Sequence, residues 1–307
     1  MKDNRVVVSV YCLAYNQENY IKDALEGFIS QKTDFSFEVI VHDDASTDDT
    51  PSIIKEYAQA YPDIIKPIFQ TQNQYPKGFI AIEEHIKPLV RGKYIAICEG
   101  DDYWTDSNKL QKQVDFLEKN LDYSACVHNT YLYDMDSNKK QIMYGKNAKT
   151  LTLKDVIHRG GESFHTSSLM YRAQYFFNKP EYFQRIKHVG DYPMAIYLAT
   201  QGKIYYLSDE MSLYRYKAAG SWTLRQNREK KLKLYKNSID MLLDAKMLNK
   251  PEYSSLFDEA IHYYEYEWRK STGDFSVLKE SNYRKFYKQE SNISKLKIFI
   301  KKNIIKN

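Results

Sequence analysis

Glycine (11), proline (8) and cysteine (3) are all scarce in this 307-residue chain. So little glycine and proline excludes low-complexity and collagen-like order. Cys12, Cys98 and Cys126 are odd in number, lie among apolar neighbours and lack metal-like spacing, so reduced core thiols of a cytosolic protein are expected. No apolar run approaches the roughly 18 residues of a membrane span. The start, Met-Lys-Asp-Asn-Arg, runs into a short apolar stretch at 6–10 without the apolar region and cleavage site of a signal peptide. Two phosphate-binding signatures are missing as well: neither G-x-G-x-x-G after the first strand nor G-x-x-x-x-G-K-[ST] occurs. A nucleotide would have to be held by metal, aromatic stacking and carboxylates.

Charge is present in both signs but unevenly placed. The net charge is +5, yet residues 225–307 carry 19 basic and 11 acidic groups, a net of +8, which leaves −3 for residues 1–224. The acidic body has no basic stripe, so nucleic acid is not an expected partner. The basic end is expected to meet something anionic. Aromatics form 15% of the chain, with 28 tyrosines, which is compatible with sugar handling but decides nothing.

The first 120 residues alternate between strand and helix patterns. Apolar, largely β-branched runs predict strands at 6–12, 37–41, 64–70 and 94–98. Helical spacing predicts helices at 18–30, from a cap at Ser46 or Thr47 to about residue 60, at 78–90 with an early end at Pro88, and from Asp106 or Ser107 to about 119. Such alternation implies an open α/β sheet with parallel strands, and ligands then bind beyond the carboxyl ends of those strands. The pattern weakens later. Strands are expected at 124–132, 167–171, 203–207 and 211–216, helices at 149–159 and 191–201, and a helical extension over 225–307. The expected domains are therefore 1–224, divided into a nucleotide-sugar half (1–120) and an acceptor half (121–224), and 225–307.

Two of the strands end in paired acids: Asp43-Asp44 and, with Glu99 just before, Asp101-Asp102. Adjacent carboxylates raise one another's pKa unless a cation intervenes. Oxygen ligands on Mn²⁺ or Mg²⁺, shared with a phosphate, would resolve the repulsion. An ordinary turn and helix cap is the alternative for Asp43 and Asp44.

These acids belong to three blocks: Val8-Ser-Val-Tyr-Cys-Leu-Ala-Tyr-Asn16, Glu38-Val-Ile-Val-His-Asp-Asp-Ala-Ser-Thr-Asp-Asp-Thr50 and Gly92-Lys-Tyr-Ile-Ala-Ile-Cys-Glu-Gly-Asp-Asp-Tyr-Trp104. In order and spacing the blocks resemble the family 2 glycosyltransferases. The resemblance implies a GT-A fold, a Rossmann-like, open, mostly parallel sheet flanked by helices, and an inverting, nucleotide-sugar-dependent enzyme. It further implies that Tyr15 lies against the base, that Asp44 accepts from the base edge with Asp43 in support, and that Asp101 and Asp102 form the acidic pair at ribose and cation. Glu99 stands at the first acidic position of that motif, and spacing does not say which of the three ligates directly. Asn16 and Glu18 read as supports of the first loop, or as a plain turn and cap.

On the acceptor side, Phe164-His-Thr-Ser-Ser-Leu-Met-Tyr-Arg172 resembles the family strand beside the acceptor, which makes His165 a candidate to line the acceptor or the metal site, with a satisfied structural histidine as the alternative. Val189-Gly-Asp-Tyr-Pro-Met194 resembles the segment that carries the catalytic base, so Asp191 is the expected base, and it is also placed to cap a helix. Many members carry a His where this chain has Lys217, and Lys217 with Trp222 is read as part of a mobile segment over the donor.

The expected reaction is transfer from a nucleotide-diphosphate sugar, a UDP-sugar, to a hydroxyl of a glycan or lipid-linked saccharide in surface polysaccharide synthesis. A metal-dependent phosphoesterase and a non-catalytic nucleotide-sugar-binding module of the same fold are the rival readings. In the tail, Ile293, Leu296, Ile300 and Ile304 share a helical face among lysines, as in helices that lie on anionic membranes, with a helix packed back on the body or a frayed terminus as the alternatives. A cytoplasmic enzyme, peripheral at the membrane's inner face, is the resulting expectation.

Overall fold

The computed structural model describes residues 5–160, 163–185, 190–221, 224, 227–292, 294–295 and 298. The chain forms two compact units, residues 1–225 and 226–307.

Within the first unit the strands are β1 (Val6–Ala14), β2 (Ser36–Asp43), β3 (Ile65–Phe69), β4 (Tyr94–Ile97), β5 (Tyr103–Trp104), β6 (Tyr123–Asp134), β7 (Lys139–Ile142), β8 (Lys149–Leu151), β9 (Met170–Arg172) and β10 (Lys203–Tyr216). They form one sheet in the order β3-β2-β1-β4-β9-β6-β10-β5, with β7 on β6 and β8 on β10. The four most extensive neighbours, β1–β2, β2–β3, β1–β4 and β6–β10, are parallel. The helices are α1 (Ile21–Ile29), α2 (Thr50–Ala60), α3 (Phe79–Ile86), α4 (Lys109–Lys119), α5 (Leu153–Arg159), α6 (Gln174–Phe177) and α7 (Asp191–Gln201). This mixed, mostly parallel sheet flanked by helices is the GT-A arrangement expected from the sequence.

The apolar runs of β1, β2 and β4 are buried because helices cover them. Val8, Val10, Val39, Val41, Tyr94 and Ala96 share one core with Ile21, Ala24, Leu25 and Phe28 of α1 and Leu110, Val114 and Leu117 of α4. Spacing of three and four residues puts each of those helical sets on one face. Cys12, Cys98 and Cys126 are free and buried. Among the described residues no helix is long and apolar enough to cross a membrane.

Several local expectations change. The helix after β2 starts at Thr50, and Ser46 and Thr47 do not cap it, because both bond to Asn16 in the neighbouring loop. Residues 149–159 split into β8 and α5, separated by Thr152, whose side chain forms a capping box with Asp155. The pieces at 203–207 and 211–216 are one strand, β10; the polar stretch between them is a register shift against β6 at Glu210. Not every strand of the sheet is parallel: β9 runs antiparallel between β4 and β6.

The second unit contains α8 (Arg228–Leu248), α9 (Ser254–Thr272) and α10 (Arg284–Gln289), with α8 packed on α9. Tyr266, Val277, Tyr283 and Phe286 make its small core, while Tyr263 and Trp268 of α9 stay exposed. Gly273 ends α9 in the left-handed region at φ 94°, a conformation that glycine adopts without a Cβ penalty. The apolar tail positions Ile293, Leu296, Ile300 and Ile304 lie outside the described residues.

Candidate active site

The carboxyl ends of β1, β2 and β4 lie side by side, and each loop there is fastened to the next. Asn16, at φ 52°, donates its N–H to Ser46 Oγ at 2.9 Å and accepts the Thr47 N–H on Oδ1 at 2.8 Å. Glu18 N–H donates to Asp48 Oδ2 and Glu18 Oε2 accepts from Asp49 N–H, both at 3.0 Å. Side-chain acceptors thus satisfy turn amides that have no ladder partner. Half-buried Tyr15 stands at the start of this stitched pair of loops.

Asp44 is buried and already engaged: Oδ1 accepts from Gln74 N–H at 2.7 Å and Oδ2 from Tyr75 N–H at 3.1 Å. Asp43 accepts from Ser46 N–H through Oδ2, but its buried Oδ1 has no partner, and burial raises its pKa. Of this pair, Asp43 is the one with a spare oxygen.

The acid loop follows β4. Gly100 packs closely there: a Cβ would come within 2.4 Å of Gln17 Oε1 and 2.8 Å of Ile21 Cδ1, so both side chains would have to shift to admit one. That close approach lays Glu99, Asp101 and Asp102 against the β1 loop. Asp102 Oδ1 accepts the main-chain N–H of Arg215 at 2.9 Å, and Arg215 Nη1 donates to the Asp101 carbonyl at 2.8 Å. The same guanidinium bonds Asp23 and lies over the rings of Tyr20 and Tyr103. Burial, then repulsion from Asp101, pushes Glu99 up to about 8, and its Oε2 is buried without a partner. Asp102 is raised by burial and by the charges of Asp101 and Glu99; Asp101 is raised by burial against the opposing pull of Arg215.

The acceptor-side candidates face the same region. His165 Nε2 is 3.6 Å from Asp102 Oδ2, its ring lies 4.3 Å from that of Tyr214, and burial lowers its pKa to about 4, so the imidazole is neutral. Asp191 is the first residue of α7 and accepts the Tyr192 N–H on Oδ1 at 2.8 Å. Its side chain is open to solvent on one side, and desolvation by the protein around it raises its pKa. Asp191 also contributes to the rise at Glu99, which puts the two carboxylates within electrostatic reach of each other. Lys217, at φ 63°, is paired with exposed Asp136. Trp222 lies outside the described residues.

Do these residues suit a divalent cation? Among the described residues no three His, Cys, Asp or Glu groups already converge as a cage. Mg²⁺-like ions are commonly held by one or two carboxylates plus substrate phosphates, so a full protein cage is not needed. Crowded carboxylates with raised pKa values and the orphaned Glu99 oxygen are what such an ion would relieve. The donor set fits.

Sequence reasoning missed Arg215 and Asp23. Arg215 lay in plain view between Tyr214 and Tyr216, but nothing in the spacing ties residue 215 to residues 23 and 101. The buried hydroxyls around His165 were equally invisible.

The mostly parallel sheet with an acid loop after β4 is the arrangement of the GT-A glycosyltransferases. The chain belongs to glycosyl transferase family 2, whose sequence model matches residues 9–178. An uncharacterized protein of Mycobacterium tuberculosis is 37% identical over 70% of this chain, and the chain spans 60% of that relative's length. A glucosyltransferase of Escherichia coli, described as acting from UDP-Glc on α-D-GlcNAc-diphosphoundecaprenol, is 35% identical over 36% of this chain and 41% of its own. Among solved structures, Staphylococcus aureus TarS 1-349 with UDP-GlcNAc superposes with a TM-score of 0.64 at 19% identity, covering 89% of this chain and 81% of TarS. A Pyrobaculum calidifontis mannosyltransferase with GDP-Man and Mn²⁺ reaches 0.57 at 17% identity, covering 91% and 76%.

Proposed function

We propose that this chain transfers a sugar, with inversion, from a UDP-sugar to a hydroxyl of a glycan or lipid-linked saccharide in polysaccharide synthesis. The observation that carries the reading is the acid loop after β4, where Glu99, Asp101 and Asp102 crowd together and are fastened by Arg215 at the carboxyl end of the parallel strands. The UDP-bound neighbour and the UDP-Glc-dependent relative favour uridine over other bases.

In the proposed reaction, Tyr15 packs against the base, and Asp43 and Asp44 shape the pocket for its edge. Asp191 takes the proton of the acceptor hydroxyl on a carboxylate oxygen. The acceptor oxygen bonds to the anomeric carbon as the anomeric C–O bond breaks, and the electron pair leaves with the diphosphate. Raising the pKa of Asp191 by desolvation makes it a stronger base than a fully solvated aspartate. Arg215 keeps Asp101 and Asp102 in place, so charge development meets a site already organised. Asp102, with Asp101 and Glu99 nearby, would hold Mn²⁺ or Mg²⁺, which supplies charge stabilisation for the departing diphosphate. Lys217 adds a cation near the diphosphate once it leaves Asp136. The basic extension is proposed to touch an anionic membrane surface on the cytoplasmic side, which suits a lipid-linked acceptor.

Incubation with a panel of nucleotide-sugars and Mn²⁺, with released nucleotide as readout, tests the reading. UDP release that depends on a saccharide acceptor is expected. Phosphodiester hydrolysis with no acceptor, or no turnover of any donor, contradicts it.

A further inference from the structure

Three hydroxyls with no solvent exposure lie in the sheet beside the acid loop: Thr130 on β6, Ser212 on β10 and Ser167 in the turn Thr166–Ser168. Burying a hydroxyl is costly unless it is hydrogen-bonded, so their grouping demands an explanation. Ser212 is the register partner of Thr130 and also of Trp104, and Trp104 Nε1–H donates to the Ser167 carbonyl at 2.9 Å. The hydroxyls form a continuous chain. Thr130 Oγ1 and Ser212 Oγ are 3.0 Å apart, Ser167 Oγ donates to Ser212 Oγ at 2.9 Å, and His165 Nδ1 is 2.8 Å from Ser167 Oγ.

The direction of this chain sets the imidazole. Ser167 spends its only hydroxyl proton on Ser212, so its oxygen receives a proton from His165 Nδ1. The competing arrangement, with Nδ1 accepting the Ser167 main-chain N–H, is the longer contact at 3.3 Å. With the proton on Nδ1, the Nε2 lone pair faces Asp102 Oδ2 at 3.6 Å, too far for a hydrogen bond. Asp102 Oδ1 is meanwhile turned to the main chain of Arg215. A nitrogen and a carboxylate oxygen thus face each other, neither satisfying the other, and the outer nitrogen of the ring is anchored as ligating histidines are.

We propose that His165 is a nitrogen ligand of the divalent cation held at Asp102, and that Ser167, Ser212 and Thr130 are positioning residues that fix its ring for that task. The proposal rests on the cation reading of the acid loop and deepens it. Magnesium takes oxygen ligands and rarely leaves them, so an imidazole in the set favours Mn²⁺ over Mg²⁺.

The test is pulsed EPR of the full chain with UDP and Mn²⁺, which reads nitrogen bound directly to the ion without reference to turnover. Nitrogen coupling is expected, and it should change to the ¹⁵N pattern in chain labelled with ¹⁵N-histidine, a comparison that needs no substitution. His165→Gln should lose the coupling and weaken Mn²⁺ binding about 10-fold or more. Ser212→Ala, which leaves the ring in place but breaks its anchor, should weaken Mn²⁺ several-fold and Mg²⁺ much less. Bound Mn²⁺ without histidine coupling, or coupling that survives His165→Gln, overturns the proposal while leaving the cation at the acid loop. A wild-type chain that binds no Mn²⁺ overturns both.

Discussion

Arg215 donates its main-chain N–H to Asp102 Oδ1 at 2.9 Å, so the end of β10 fastens the acid loop that follows β4. The donor belongs to the backbone, so the bond does not depend on the side chain at 215 unless that residue is proline. The Arg215 guanidinium adds a second tie, to the Asp101 carbonyl and to Asp23 on α1.

Arg215→Ala should therefore keep the fold and Asp102's bond while freeing Asp101. A fall in kcat/KM of about 10- to 100-fold is expected, equivalent to about 1.4–2.8 kcal/mol of transition-state stabilisation. Arg215→Lys should not restore it, because lysine lacks the planar, forked guanidinium that reaches the Asp101 carbonyl and Asp23 while lying over Tyr20 and Tyr103. Steady-state kinetics of the two variants check this.

The loops after β1 and β2 are joined by Glu18 and Asn16. Glu18→Ala removes the acceptor of Asp49 N–H and leaves the acid loop untouched. The donor KM should rise several-fold with kcat nearly unchanged, and stability should fall by about 0.5–2 kcal/mol, the scale of a lost cap. Donor titration and urea unfolding measure the two effects.

Lys109 is fully buried, lies 4.0 Å from the centre of the Trp104 ring, and burial lowers its pKa to about 7. Its folded pKa lies below the unfolded value near 10.5. Between those values the unfolded chain holds the extra proton, so this group makes stability rise with pH from about 7 to about 10.5. Lys109→Met should flatten that rise, and at pH 7 the loss of the charge is set against leaving buried Gln113 Oε1 without its 2.8 Å donor. Denaturant midpoints across that range test it, and an unchanged pH slope would contradict it.

The basic tail predicts that the full chain co-sediments with anionic liposomes and is released by salt. A chain ended after Asn292 should stay in the supernatant. Equal sedimentation of both would remove the tail as the anchor.

Much of the sheet and the acid loops was legible because local pattern and chemistry coincide there. The runs of β1, β2 and β4 are buried on both faces and so read as apolar stretches, and those of β2 and β4 end abruptly in acids. Where a hydrogen-bond partner is distant, the sequence was silent. Ser46 reads as a helix cap until Asn16 is seen 2.9 Å away, and Ser208–Glu210 reads as a loop until β6 is seen to continue beside it. Two-residue β5 was missed because its pairing to Ser212 and Leu213 is wholly non-local. Ser167, Ser212 and Thr130 looked like ordinary strand polar residues, since only tertiary contact makes them a chain.

The central claim, that Asp191 is the base of a sugar transfer, is met most directly by Asp191→Asn, compared with the wild-type chain in acceptor-dependent UDP release and in donor binding by calorimetry. The account predicts loss of transfer by about 10³-fold or more with donor affinity within a few-fold of wild type. In the wild-type chain, kcat/KM should fall with acid through a pKa above the ordinary aspartate value of 3.8, because desolvation raises Asp191. Near-normal turnover by Asp191→Asn with the same donor would contradict it.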